Sequence, residues 1–330
     1  MATASTALTP ATDLLLGAYA MAPAPGPDED AFYAGVADLG VVGLELPVPL
    51  AGSPSLDPAW LDRTLRPTWS LLLTCIPSVM ARLGDHPGYG LAATDDDVRG
   101  LALADVARAR DLATRLADEH GRRRVVAIQV HSAPGPAGGS VDAMARSLEQ
   151  ILAWDLAGAE VLVEHCDALV PGQPAAKGFW SLDDELAAVR LVLGTHPATA
   201  PLGLSINWGR SAIEGRSAAA ATAHVRTAAA SGLLRALVLS GATDVETAWG
   251  PAWGDAHIPP RGADAALAPS APSLLGPQET EAAVRAAGDG TLLAVKVSVR
   301  PRDIPVADRL AVARAALAVA DEAATAARVS

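Results

Sequence analysis

Residues 158–167, GAEVLVEHCD, decide the fold. Val161, Leu162 and Val163 run straight into Glu164, His165, Cys166 and Asp167. An aliphatic run that ends in ionisable groups is how a parallel α/β sheet, buried on both faces, presents chemistry at its carboxyl edge. Seven further strand-like runs lie around it, at 13–20 (closed by Tyr19), 41–47, 69–75, 124–131, 202–207, 234–240 and 292–298. Helical patterns separate most of them, and two long connections, 76–97 and 241–276, stand out. Eight strand–helix units with right-handed crossovers predict an α/β protein, a single (β/α)8 TIM barrel over 13–330, behind a flexible arm at 1–12. An open doubly wound sheet is the alternative. No GxGxxG follows the first strand, which argues against a dinucleotide-binding version.

Composition narrows the function. Half of the 330 residues are hydrophobic but only 4% are aromatic, so the core is expected to be Ala, Leu and Val. A net charge of −12 repels a polyanion and excludes nucleic acid as the expected partner. Cys75 and Cys166 sit in apolar runs, where buried, reduced thiols are the default. The first residues lack the basic and apolar segments of a signal peptide, and no apolar run is long enough to span a membrane. A cytoplasmic protein is the expectation.

Alternation along each strand selects a rim. Gln129 and His131 point the same way, as do Lys296 and Ser298, and Leu162 fills the layer beneath Glu164. The rim then holds Glu45, His131, Glu164, Asn207, Ser240 and Lys296, joined from the loop after strand seven by Asp255 and His257. Two chemistries suit that set. His131, Glu164, Asp255 and His257 offer the oxygen and imidazole donors that hold one Zn²⁺, Mn²⁺ or Co²⁺, which would polarise a carbonyl or activate water. Alternatively, Glu45 and Glu164 form the carboxylate pair of a metal-independent glycoside hydrolase. Trp180, Trp208, Trp249 and Trp253 all lie in loops on that face. Their flat apolar rings suit sugar stacking, which points to a carbohydrate ligand.

At these residues the chain resembles the xylose-isomerase-like barrels, the superfamily of sugar isomerases, inosose dehydratases and endonuclease-IV-like enzymes. VHSAPG at His131 resembles that family's strand-four ending, VLVEHCD at Glu164 its metal-ligand Glu, and DAH at 255–257 the Asp-x-His of the endonuclease branch. Within the superfamily the sequence is similar to a largely actinobacterial family classed as a domain of unknown function. Four positions depart from the pattern. Asn207 and Arg210 stand where the family carries Asp and His, Ser240 where it carries His, and Lys296 near its strand-eight Glu. The resemblance thus implies at most one divalent ion, held through His131, Glu164 and His257, or none. It also implies a sugar or polyol isomerase, epimerase or related lyase. Glu164 would be metal ligand or general base, and His131 ligand or acid–base partner. Lys296 and Arg210 would stabilise an enolate or bind an anionic group, and Tyr19, Asn207 and the four tryptophans would help bind substrate. A non-catalytic carbohydrate-binding relic of an isomerase is the third reading.

Overall fold

The computed structural model describes residues 14–48, 50, 57–197 and 200–329. The arm expected at 1–12 lies outside the described residues. Eight parallel strands close into a barrel in sequence order. They are β1 (Leu14–Leu16), β2 (Gly43–Pro47), β3 (Ser70–Thr74), β4 (Val125–Val130), β5 (Glu160–His165), β6 (Leu202–Asn207), β7 (Leu234–Leu239) and β8 (Leu292–Val295). Among the described residues, ten α-helices connect and surround them: α1 (Pro27–Ala37), α2 (Pro58–Thr64), α3 (Ile76–Asp85), α4 (Asp96–His120), α5 (Val141–Leu152), α6 (Leu182–Leu193), α7 (Trp208–Gly215), α8 (Ala218–Ala230), α9 (Pro277–Ala287) and α10 (Val306–Val329).

The period-two pattern separates two cores. Leu15, Leu72, Ala127, Leu162, Ala236, Val238 and Ala294 fill the barrel interior. Their alternates, including Val161, Val163, Leu204, Ile206 and Val295, join the layer between strands and helices. Small interior residues suit a narrow barrel filled by side chains in layers. Glu164, two residues beyond Leu162, and Lys296, two beyond Ala294, therefore sit one layer above this floor. The β5–β6 register pairs Glu164 with Ser205, which fixes the height of the polar layer.

Several local expectations need correction. The first strand ends at Leu16, and Tyr19 lies on a 3-10 turn, Ala18–Ala20. The connection 76–97 is half helix. Pro77 suits the first turn of α3, where a backbone N–H is spare, and Cys75 precedes it without a side-chain cap. Asp95 caps α4, accepting from the backbone N–H of Asp97 and Val98. The segment after strand six, expected as a loop, is helix α7, because Asn207 accepts from the N–H of Arg210 and caps it. Ser181 caps α6, accepting from the backbone N–H of Asp184. Among the described residues, no helix is long and apolar enough to cross a membrane.

Candidate active site at the barrel rim

Glu164 is the hub. It is fully buried. Its Oε2 lies 2.7 Å from His131 Nε2, and its Oε1 accepts from Asn207 Nδ2 at 3.1 Å and lies 2.9 Å from Arg210 Nη1. Asn207 can serve Glu164 only because its Oδ1 is held at the start of α7, which aims the Nδ2 side at the carboxylate. Arg210, one turn into α7, spans two acids: its Nε donates to Asp255 Oδ2 at 3.1 Å. Lys177, from the loop after β5, reaches the same Asp255 oxygen at 3.1 Å and ties the loops after β5 and β7 together.

A second pair stands across the barrel. Lys296 Nζ donates to Glu45 Oε1 at 2.6 Å, with both side chains fully buried. Tyr19 donates its hydroxyl to the same oxygen at 3.2 Å, and its ring faces the Lys296 ammonium at 5.1 Å. Gly17 makes room for this pair, since a Cβ there would lie 3.0 Å from Lys296 Cγ and 3.3 Å from Glu45 Oε2. Beneath, Gln129 donates to Ser205 Oγ at 2.8 Å.

Electrostatics fixes the protonation states. Burial works against the Glu164 charge, but Arg210, His131 and Lys296 outweigh it and hold the carboxyl well below the usual range. Asp255 behaves alike: burial raises it, and Arg210 above all brings it well down. For Lys296, burial disfavours the ammonium and Glu45 more than offsets this, so the group is raised and cationic. His131 is lowered, chiefly by burial, and is therefore a neutral imidazole. Because Glu164 is ionised, its Oε2 can only accept, so His131 donates from Nε2. His131 Nδ1 is then a lone-pair nitrogen, and it is buried without a hydrogen-bond partner.

His257 sits near the rim but apart from Glu164. Its Nδ1 lies 2.8 Å from Ser240 Oγ and 3.5 Å from Asp255 Oδ1, and its positive φ of 53° belongs to the strained backbone of the 241–276 connection. Burial first, and then Lys296, Arg210 and Lys177, push its pKa down to about 3 against the pull of Asp255. An unfolded histidine takes up its proton near pH 6.5, so between about 6.5 and 3 the unfolded state binds more protons than the folded one. Stability above that window is therefore lost as pH falls through it. Full titration of one such group contributes about 1.4 kcal/mol per pH unit. Urea unfolding of His257→Gln between pH 4 and 5.5 should show an acid slope shallower than wild type by about that amount. An unchanged slope would remove His257 from the account.

The tryptophans divide. Trp208 is fully buried in the layer between strands and helices, and Trp249 is buried with its Nε1 donating to Ser298 O at 3.3 Å. Trp180 and Trp253 are half-buried, and the Arg216 guanidinium stacks 5.1 Å from the Trp253 ring. The four indoles thus do not form one exposed stacking wall. The long connections do meet the rim region: 241–276 supplies Asp255 and His257, and Ala92 N of 76–97 donates to Ala133 O beside His131 at 2.9 Å.

A family model described as Domain of unknown function (DUF4862) matches residues 15–312. The chain belongs to that family. Uncharacterized protein STM3670 of Salmonella typhimurium is 33% identical to it over 259 residues, 75% of this chain and 78% of that protein. Among solved structures, the DUF4862 chain is similar to a putative xylose isomerase from Rhodospirillum rubrum, with TM-score 0.57, 16% identity, and 92% and 98% of the two chains covered. It is similar also to a D-psicose 3-epimerase (0.56, 14%, 92% and 96%) and an L-ribulose 3-epimerase (0.54, 12%, 96% and 95%). The fold is that of the xylose-isomerase-like TIM barrels.

That fold raises the question of a rim metal. His131, Glu164 and Cys166 place ligand atoms within 4.8 Å of one another, whereas Asp255 and His257 fall on the far side of Arg210. The three do not fit an ion as they stand. Arg210 Nη1 already lies 2.9 Å from Glu164 Oε1 and 3.3 Å from Cys166 Sγ. Burial pushes the Cys166 thiol well up, so an ion would have to displace its proton as well as Arg210 before the sulfur could bind. A dication about 4 Å from the guanidinium would be repelled by roughly 8 kcal/mol at an effective dielectric of about 20. Arg210 occupies the electrostatic place of the ion. Lys177 was not among the candidates because it lies in no motif, and Cys166, although inside VLVEHCD, read as a buried reduced thiol. The alternation that selected Glu164 also carries Cys166, two residues on, to the same side.

Proposed function

We propose that this chain is a sugar or polyol isomerase or epimerase, or a related lyase, working at the barrel rim without a metal ion there. The observation that carries this reading is the Glu164–His131 pair. An ionised, buried carboxylate holds Nε2–H and leaves a neutral, unpartnered Nδ1 as the proton acceptor. His131 removes the proton beside a substrate carbonyl, and the electron pair moves onto the carbonyl oxygen as an enolate. Arg210 and Lys296 supply the positive charge that stabilises it, already fixed in a water-poor site. Return of the proton to the neighbouring carbon, as the hydroxyl proton there passes to the enolate oxygen, gives an isomer; an epimer needs a proton delivered to the opposite face by a second acid, the part open to Lys296 across the barrel, with solvent exchange then restoring both groups.

A carbohydrate suits the site because its hydroxyls both donate and accept, and so can replace the internal pairs around Tyr19, Glu45, Asn207 and Arg210. The 3-epimerase names carried by barrels of the same fold point to the same substrate class. The glycosidase alternative needs a carboxylic acid that keeps its proton. Glu164 is held ionised, and Glu45 Oε1 accepts from both Lys296 and Tyr19, so the arrangement favours the isomerase.

The test is solvent exchange. Incubation in D₂O with a panel of pentuloses, ketohexoses and inososes should place deuterium at the carbon beside the carbonyl, read by NMR. The rate should be unchanged by chelator well below the melting temperature. Absence of exchange across the panel would favour the binding relic, and turnover of an aryl glycoside would favour the hydrolase.

A further inference from the structure

His165 follows Glu164 on β5 and so points the other way, out of the barrel and into the helix layer. There it meets side chains from three helices. Its Nδ1 lies 2.7 Å from Glu185 Oε2 on α6, and its Nε2 lies 3.1 Å from Glu214 Oε2 on α7. His224 on α8 approaches the other Glu214 oxygen at 3.7 Å, and the two imidazole rings are 5.0 Å apart. The carboxylates are themselves held. Ser132 Oγ donates to Glu185 Oε1 at 2.6 Å, and the backbone N–H of Ala168 donates to Glu214 Oε2 at 2.8 Å.

We propose that His165, Glu214 and His224 form a second, structural metal site, distinct from the rim, that takes one divalent transition ion of the Zn²⁺ class. Their ligand atoms lie within 4.8 Å of one another. Two imidazoles and one carboxylate are a donor set suited to zinc, whose tetrahedral ligands stand about 3.3 Å apart. The independent sign is the nitrogen inventory. His165 Nε2, on a fully inaccessible side chain, faces only the Glu214 carboxylate at 3.1 Å and makes no well-formed hydrogen bond with it, and His224 Nε2 stands 3.7 Å from the other oxygen of the same carboxylate. Meanwhile His165 Nδ1 is taken by Glu185, the carboxylate–histidine arrangement that orients a metal-binding imidazole through its other nitrogen. An ion has a way in, since the Glu214 and His224 side chains are 14% and 21% exposed while the rest is sealed.

Such an ion would pin α7 and α8 against β5. Glu214 lies four residues after Arg210 on α7, so the same ion would fix the helix that places Arg210 against Glu164.

The experiment uses the full chain without a polyhistidine tag, stripped with chelator and then titrated with Zn²⁺ alone by calorimetry. One equivalent should bind to wild type and equally to Glu164→Gln. His224→Gln should weaken binding by more than the ~10–100-fold that loss of an outer partner costs, and Glu185→Gln by about that amount. A zinc-free melting temperature of His224→Gln close to wild type separates ligand loss from misfolding. X-ray absorption on the wild-type complex, which depends on no variant, should show imidazole and oxygen ligands without sulfur. No binding, binding that survives His224→Gln, loss of binding in Glu164→Gln, or a sulfur ligand from Cys166 would each overturn the proposal. Failure here leaves the proposed rim chemistry standing, because that chemistry uses no metal.

Discussion

Replacing Lys296 by methionine is expected to lower stability by about 3–5 kcal/mol, the cost of leaving one partner of a buried ion pair uncompensated. Methionine keeps most of the stem volume, so packing alone would predict a small effect. The charge decides the outcome. Glu45 is fully buried, its Oε2 has no hydrogen-bond partner, and its Oε1 would retain only the Tyr19 hydroxyl. Water has little room to enter, because Gly17 packs directly against the pair. The double variant Glu45→Leu/Lys296→Met should recover most of the loss, since replacing both members of a buried pair by apolar groups is often nearly neutral. Urea unfolding of the four proteins closes a double-mutant cycle. A coupling below about 1 kcal/mol would mean that solvent reaches Glu45 and that the pair is not sealed.

That experiment also bears on how far the sequence could be read. The barrel followed from strand spacing and from GAEVLVEHCD, because a parallel barrel is buried on both faces and leaves a simple hydrophobic signature. Period-two alternation placed Leu162 beneath Glu164, and the structure puts Leu162 in the barrel interior with Glu164 buried above it. Pairing was harder to read. Lys296 and Glu45 are 251 residues apart and meet only because β8 and β2 both flank β1 in the closed sheet. Arg210 read as a loop residue free to meet substrate. Its true position depends on Asn207 capping a helix that the segment WGRSAIEG gave little reason to expect after a strand. His165 escaped notice for the opposite reason. Its neighbour Glu164 drew attention to the interior face, while the same alternation carries His165 outward to partners on three different helices. Trp208 looked like a rim aromatic by its distance from the strand end, yet it packs with Ile206 in the outer layer.

Glu164→Gln should reduce exchange at the carbon beside the carbonyl by about 10²–10⁴-fold with little change in fold, the range typical of losing a general base. The argument is one of tautomers. In the native protein Glu164 Oε1 faces Arg210 and Asn207, two donors, and Oε2 faces His131. A glutamine in the same place keeps its oxygen toward the two donors, which turns its NH₂ toward His131 Nε2. That nitrogen must then accept, the imidazole proton moves to Nδ1, and the lone pair that takes the substrate proton is gone. His131→Asn should be at least as damaging, because it removes the acceptor itself. Two readouts separate this from general damage. Nitrogen-15 shifts of labelled histidine should report a neutral His131 protonated at Nε2 in wild type and at Nδ1 in Glu164→Gln, whether or not a substrate is in hand. The pH profile of kcat/KM should have its acid limb below the ordinary histidine value of 6.5, because burial lowers His131 and the base is active wherever it is neutral. A wild-type His131 carrying its proton on Nδ1, or on both nitrogens at neutral pH, would sink the mechanism.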